Sequence, residues 1–223
     1  MIQHHPGEDL LLALAAGRVS AGVGLVLSVH LEGCSTCRAR LRELELIGGV
    51  LLADGEDVAL APEAWPRTLQ RVEARRPGGV APAPARTAAP PARRTTLPAG
   101  VPWPAALAGC DASRWRWIGP GMRWSRLTLP QDPDVSLYLL RIAPGRSLPS
   151  HTHRGNELTQ VLCGSFDDGR SYFAAGDFDA TDDAVRHQPV VRAGAECVCV
   201  AHVEGNLVFD GAVASVIGRW IGM

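Results

Sequence analysis

Gly145, His151, His153, Glu157 and Gly164 follow one another as G-x5-H-x-H-x3-E-x6-G, and His187 lies thirty residues beyond Glu157. Three imidazoles and a carboxylate can hold one divalent cation, and by ligand type the set suits Zn2+, Fe2+, Mn2+ or Ni2+. His151 and His153 are two apart, so on a strand they share a face. Glu157 can begin the next strand across Arg154-Gly155-Asn156 and reach the same interior. A second donor set, His30, Cys34 and Cys37, reads H-x3-C-x2-C. Zn2+ prefers four tetrahedral nitrogen and sulfur ligands. The fourth must come from elsewhere, and His4 and His5 are the other histidines in this half of the chain.

The elements that must carry these residues differ. Residues 1–75 read as four helices. Leu10, Leu11 and Leu14 mark the first, ending near Gly17. Ser20 can cap the second, which carries Val23, Val26, Leu27 and His30 and ends at Gly33. Ser35 can cap a third, with Leu41, Leu44, Ile47, Leu51 and Leu52 as its apolar positions. Its Arg38, Arg40 and Arg42 alternate with Glu43 and Glu45 as a solvated face. A fourth follows Pro62, with Trp65, Leu69 and Val72 at helical spacing. Gly33 is the expected bend that lets His30, Cys34 and Cys37 converge. Residues 76–102 have the Pro, Ala, Gly and Arg composition of an unstructured linker, which makes the flanking domains spatially separable.

Residues 103–223 read as all-β. Alternating apolar runs recur at 123–129, 135–142, 157–163, 170–174, 197–203 and 207–209, divided by Gly, Pro, Asp and Asn turns. Short, regularly spaced strands favour a sandwich or barrel. Tyr172, Asp177 and Asp179 read as facing turns and solvent. Cys197 and Cys199 share a strand face near the interior and read as small buried apolar residues. Cys110 and Cys163 read as structural, and His202 as a strand histidine outside the ligand set. Trp115 and Trp117 most simply pack on the barrel.

Composition bounds the function. The 223 residues carry a net charge of -1, so nothing in the overall balance draws the chain to nucleic acid. The mixed charge of the third helix argues the same way. The apolar runs at 10–16 and 23–29 are too short to span a bilayer, and no targeting segment is visible, which makes the cytoplasm the expected compartment. There the six cysteines would be reduced, so metal binding is the better reading than disulfides.

The segment from His4-His5 to about Leu52, with H-x3-C-x2-C between amphipathic helices, resembles the zinc-binding anti-sigma domain of bacteria. The first motif of residues 145–164 is met in full by a cupin barrel pattern. The second cupin motif is matched at Gly176 and His187, while Asp182, Ala184 and Val191 replace its usual Pro, Gly and Asn. That departure bears on the local loop shape. The whole arrangement looks like the ChrR group of zinc-binding anti-sigma factors. The resemblance implies an α+β multidomain chain: a zinc-bound four-helix domain (1–75), a Pro-rich linker (76–102) and an all-β cupin barrel (103–223).

The resemblance further implies zinc on His5, His30, Cys34 and Cys37, and zinc or another divalent metal on His151, His153, Glu157 and His187. It implies a heterodimer with an extracytoplasmic-function-type sigma factor, which the helical domain inhibits while the cupin senses oxidative or singlet-oxygen-type stress. Under that reading the chain is not an enzyme and has no catalytic residues. It contacts neither nucleic acid nor membrane. The competing reading is a metal-dependent cupin enzyme, dioxygenase-like, with an accessory helical zinc domain.

Overall fold

The computed structural model describes residues 1–75 and 95–209. Most of the linker reading (76–94) and the C-terminal residues 210–223 lie outside the described residues. Four helices come first: α1 (Glu8–Ala15), α2 (Ala21–Gly33), α3 (Ser35–Ala53) and α4 (Ala64–Arg75). Ser20 caps α2, accepting the Val23 amide at 3.4 Å. The cap of α3 is Cys34 rather than Ser35: its Sγ accepts the Cys37 amide at 3.4 Å. The bend also falls at Cys34, in extended backbone, while Gly33 stays in α2. A thiol at the cap position satisfies an orphan helix amide and stands beside Cys37 in the same turn.

After a short 3-10 turn at Ala105–Leu107 come, among the described residues, twelve antiparallel strands. The main sheet contains β1 (Asp111–Ala112), β2 (Arg116–Gly119), β3 (Met122–Leu129) and β4 (Asp132–Ile142). It is completed by β6 (Glu157–Cys163), β9 (Phe178–Thr181) and β11 (Cys197–Val203), in the order β1-β3-β4-β11-β6-β9 with β2 beside β3. A second sheet holds β7 (Ser165–Asp167), β8 (Tyr172–Ala174) and β10 (Val190–Val191), and a third pairs β5 (His151–Arg154) with β12 (Asn206–Phe209). Gly164 turns β6 into β7 at a φ of 72°, and a Cβ there would collide with the Glu196 carbonyl.

The two faces of the main sheet do different work. Ile142, Val161, Cys197 and Cys199 point inward, against Phe166, Phe173 and Val191 of the second sheet. Leu127, Leu137, Leu139, Leu158 and Val200 point outward, and α2 lies on them through Val23, Val26, Leu27 and Val29. Helix and barrel therefore share one core, and the expectation of separable domains is corrected. The physical reason is that α2 is apolar around most of its circumference, which suits a buried helix better than a surface one. Each fully buried Val or Leu contributes about 1.5–3 kcal/mol relative to exposure. Leu97 joins the same core, so the end of the expected linker is packed.

Gly22 explains how closely α2 approaches. A Cβ at that position would run into the imidazole of His202 on β11. Farther along α2, the Glu32 carboxylate accepts the Ala105 and Ala106 amides at 3.0 and 2.5 Å and caps the 3-10 turn. The C-terminal half of α3 departs from its expected burial: Leu46, Ile47, Val50, Leu51 and Leu52 are exposed. Its charged face is as expected, with Arg40 paired to Glu43 at 2.6 Å and to Glu8.

Two candidate metal centres

His5, His30, Cys34 and Cys37 come together at one point, with one donor atom from each lying within 4.8 Å of the others. His5 Nδ1 is 3.3 Å from both Cys34 Sγ and Cys37 Sγ. Ligands of a tetrahedral zinc stand roughly 3.5 Å apart, given metal–ligand bonds of about 2.0–2.3 Å. His30 Nδ1 lies 2.9 Å from Gln160 Oε1, which leaves Nε2 buried with no hydrogen-bond partner among the described residues. An orphaned imidazole nitrogen beside two thiols fits a metal ligand. Burial lowers the His30 pKa more than its hydrogen bond to Gln160 raises it, which keeps the ring neutral. Burial and the neighbouring Cys34 push the Cys37 thiol up to about 12, so without a cation it holds its proton. Of the two N-terminal histidines, His5 meets the thiols, whereas His4 turns to the Tyr172 carbonyl at 3.1 Å.

The arm bearing His5 is held by the barrel. Asp177 Oδ1 accepts the Gln3 and His4 amides at 2.6 and 3.0 Å, and the Phe178 amide donates to the His4 carbonyl at 3.1 Å. Asp177 and Asp179 are thus buried rather than solvent-facing, which corrects that expectation; Tyr172 is exposed as expected. Burial favours the neutral acid at Asp177, but the amides of Ala174, His4 and Gln3 outweigh it and lower the pKa.

The second cluster joins His151 and His153 of β5, Glu157 at the start of β6, and His187 in the loop before β10, all buried. His151 and His187 exchange backbone hydrogen bonds at 3.1 Å in both directions, which sets their rings together. His151 Nδ1 lies 2.8 Å from the Pro149 carbonyl, so its proton sits there and Nε2 is left as a lone pair. That Nε2 is 3.1 Å from His187 Nε2, and Glu157 Oε2 is 2.7 Å from His153 Nε2. At 3.1 Å the His151 lone pair meets either a proton on His187 Nε2 or a cation held by both rings. Burial raises the Glu157 pKa, but His153, His151 and His187 more than offset it and hold the carboxyl at about 2. Burial brings His187 down to about 4. Glu157 is therefore an anion and His187 a neutral ring, the states in which each can bind a divalent cation.

The altered second motif still delivers His187. Asp182 Oδ1 accepts the Ala184 amide at 3.0 Å and its carbonyl accepts the Val185 amide at 3.2 Å, a side-chain turn in place of Pro and Gly. Behind the ligands lies a layer that the sequence reading missed. Asp168 Oδ2 is 3.7 Å from His187 Nδ1, and Arg170 bridges Asp168 and Asp179. Burial raises Asp179 to about 6 against the pull of Arg170. The Asp167-Asp168-Gly169-Arg170 turn was visible, but nothing local indicated that it folds inward. Cys197 and Cys199 line a cavity of about 40 Å3 beside His151 and Glu157, with their sulfurs 3.6 Å apart. That volume holds about one or two waters, against roughly 300 Å3 or more for a typical organic ligand.

Outside the clusters, Trp115 packs on the shared core and donates to the Thr96 carbonyl at 3.1 Å, while Trp117 is exposed. His202 Nδ1 lies 2.9 Å from the Ser136 carbonyl, as a strand histidine would.

Comparison with known proteins adds three findings. A family model described as the ChrR cupin-like domain matches residues 104–206. The anti-sigma-E factor ChrR of Cereibacter sphaeroides is 35% identical over 221 residues, covering 97% of this chain and 96% of that protein. The crystal structure of Rhodobacter sphaeroides SigE in complex with the anti-sigma ChrR matches with a TM-score of 0.68 and 34% identity. It covers 92% of this chain and 100% of that one.

Proposed function

The chain belongs to the ChrR family of anti-sigma factors, and we propose on that basis that it binds a sigma factor and holds it inactive. The helical region of residues 1–75 makes the contact, and the cupin domain of residues 103–223 regulates it. The sigma factor is of the extracytoplasmic-function type. The complex works in the cytoplasm, and no described helix is long and apolar enough to cross a membrane.

The observation that carries this reading is the relative at 35% identity along 97% of the chain, so that helices and barrel are matched as one unit. The exposed side chains support it. Val50 and Trp65 are 59% and 67% exposed, with Leu46, Leu51 and Val72 also uncovered along α3 and α4. Each of the two helices thus carries exposed apolar side chains of the kind that mark docking surfaces, and amphipathic helices seat such stripes in a partner's groove.

His5, His30, Cys34 and Cys37 fit zinc by donor type, and zinc there ties the N-terminal arm to the junction of α2 and α3. The chain's own residues prepare this: Cys34 caps α3, and Asp177 fastens the arm. His151, His153, Glu157 and His187 fit zinc or another divalent cation, held in the buried barrel interior. The cupin architecture by itself is compatible with catalysis. The small cavity beside Glu157 instead favours a sensor of small oxidants over an enzyme acting on an organic substrate. Sensing must change the free energy of the sigma complex by a few kcal/mol, and the shared core gives the barrel a direct hold on α2.

The test is co-purification of the full chain with the sigma factors of its own cytosol, with and without a chelator. Recovery of a sigma factor, lost on chelation, is the expected result. Recovery of none in either state overturns the reading.

A further inference from the structure

Gln160 is a buried polar residue that neither metal centre takes as a ligand, and its side-chain partner lies 130 residues away. We propose that Gln160 is a positioning residue for the N-terminal metal: through one amide oxygen, the barrel decides which nitrogen of His30 faces the ion. The proposal rests on the reading that His5, His30, Cys34 and Cys37 hold zinc.

A neutral imidazole carries one ring proton. The Gln160 amide donates through Nε2 to the Val161 carbonyl at 3.1 Å. Turning the amide over would set two oxygens against each other, so Oε1 is the atom that faces His30. Oε1 only accepts, and at 2.9 Å it holds the proton on His30 Nδ1. The lone pair is then on Nε2, the buried atom without a hydrogen-bond partner among the described residues. Hydrogen bonds of this kind fix the tautomer and ring orientation of a metal-binding histidine and raise its basicity.

The placement gives the bond a wider role. Gln160 pairs with Phe178 of β9, whose ring stands 5.8 Å from the His30 ring. The adjoining Asp177 and the Phe178 amide hold the arm that brings in His5. Two strands of the barrel thus orient two of the four N-terminal donors. Glu157 of the other centre begins the same strand, β6, three residues before Gln160 and on its opposite face. One strand therefore touches both centres, and a displacement of β6 around Glu157 carries Gln160 with it.

The experiment uses the full chain loaded with Co2+ in place of zinc. Thiolate-to-cobalt charge transfer reports the N-terminal centre, since the cupin donors include no sulfur. Absence of this band in the wild-type protein overturns the zinc-site reading itself. With the band present, competition against a chelator gives the affinity of wild type, Gln160→Leu and Gln160→Glu. Gln160→Leu, close in size but without an acceptor, is expected to bind about 10–100-fold more weakly. Gln160→Glu keeps the acceptor toward His30 but sets an oxygen against the Val161 carbonyl, so it is expected to weaken binding less than Gln160→Leu. Wild-type affinity in Gln160→Leu, or equal weakening in both variants, overturns the proposal. A measurement that needs no variant is the 15N spectrum of the His30 ring in the zinc-loaded wild type. A proton on Nδ1 supports the proposal, and a proton on Nε2 overturns it.

Discussion

The His5–His30–Cys34–Cys37 cluster draws on an exposed arm, a helix end and a helix cap, whereas every member of the His151–His153–Glu157–His187 cluster is buried. In the cupin cluster, β5 is paired with β12, and His187 is bridged to His151 by two backbone hydrogen bonds. Its ligand geometry is set by backbone pairing. In the N-terminal cluster, Cys34 and Cys37 are fixed by one turn, but His5 arrives only because Asp177 and Phe178 hold the arm. A centre with one exposed, arm-borne ligand is easily loosened; a centre inside a barrel is preorganised and hard to reach. In a regulator the first suits an output that must let go, and the second suits an input that must stay selective.

The most severe break of that comparison is Cys37→Ser. On the proposed function it removes a zinc donor, and structural zinc sites contribute on the order of 10 kcal/mol apparent free energy. Bound metal, measured by atomic emission, is expected to fall from two to one per chain, with sigma binding lost. Glu157→Ala is the mirror experiment. It removes the only anionic donor of the cupin cluster, so one metal is again expected, but with the cobalt–thiolate band retained. Loss of that band in Glu157→Ala would mean that the N-terminal centre forms only when the cupin centre is intact.

Leu27→Ala tests the shared core at a smaller scale. A fully buried leucine cut to alanine costs about 2–5 kcal/mol, and Leu27 is packed among barrel residues. Calorimetry is expected to show a single unfolding transition moved to lower temperature. Two transitions, with only one of them moved, would return the helices and barrel to separate domains. The smallest effect is at Gly22, where an added methyl must displace His202. Gly22→Ala is expected to cost about 1–3 kcal/mol by overpacking, read by denaturant titration. No loss of stability there would mean that α2 is not seated on β11.

Much of the architecture was legible because it is local. Runs such as Glu157–Cys163 and Cys197–Val203 coincide with observed strands. Both donor sets were readable from short spacings, since a helix turn or a strand pleat brings i, i+2 and i+3 residues together without help. What escaped notice involved distant partners. The run Cys-Val-Cys-Val-Ala-His-Val of β11 is buried throughout. An unbroken apolar strand is the mark of a sheet covered on both sides, and here it pointed to a helix lying on the barrel. Asp168, Asp177 and Asp179 read as turn residues because acidic residues in turns are usually solvated, and only the fold supplies the amides and the arginine that offset their burial.

The sequence by itself determined the donor types, their local spacing, the helical and β halves, and the resemblance to the ChrR group. The tertiary structure alone decided that α2 lies on the outer face of the main sheet and that Gln160 faces His30, and it brings to the thiols His5, the histidine that the resemblance implies. The physical reason lies in the range of the forces. Periodicity and turn chemistry act over a few residues and are written in the order of the chain. Contacts across 130 residues exist only where burial of the intervening apolar surface brings the two ends together.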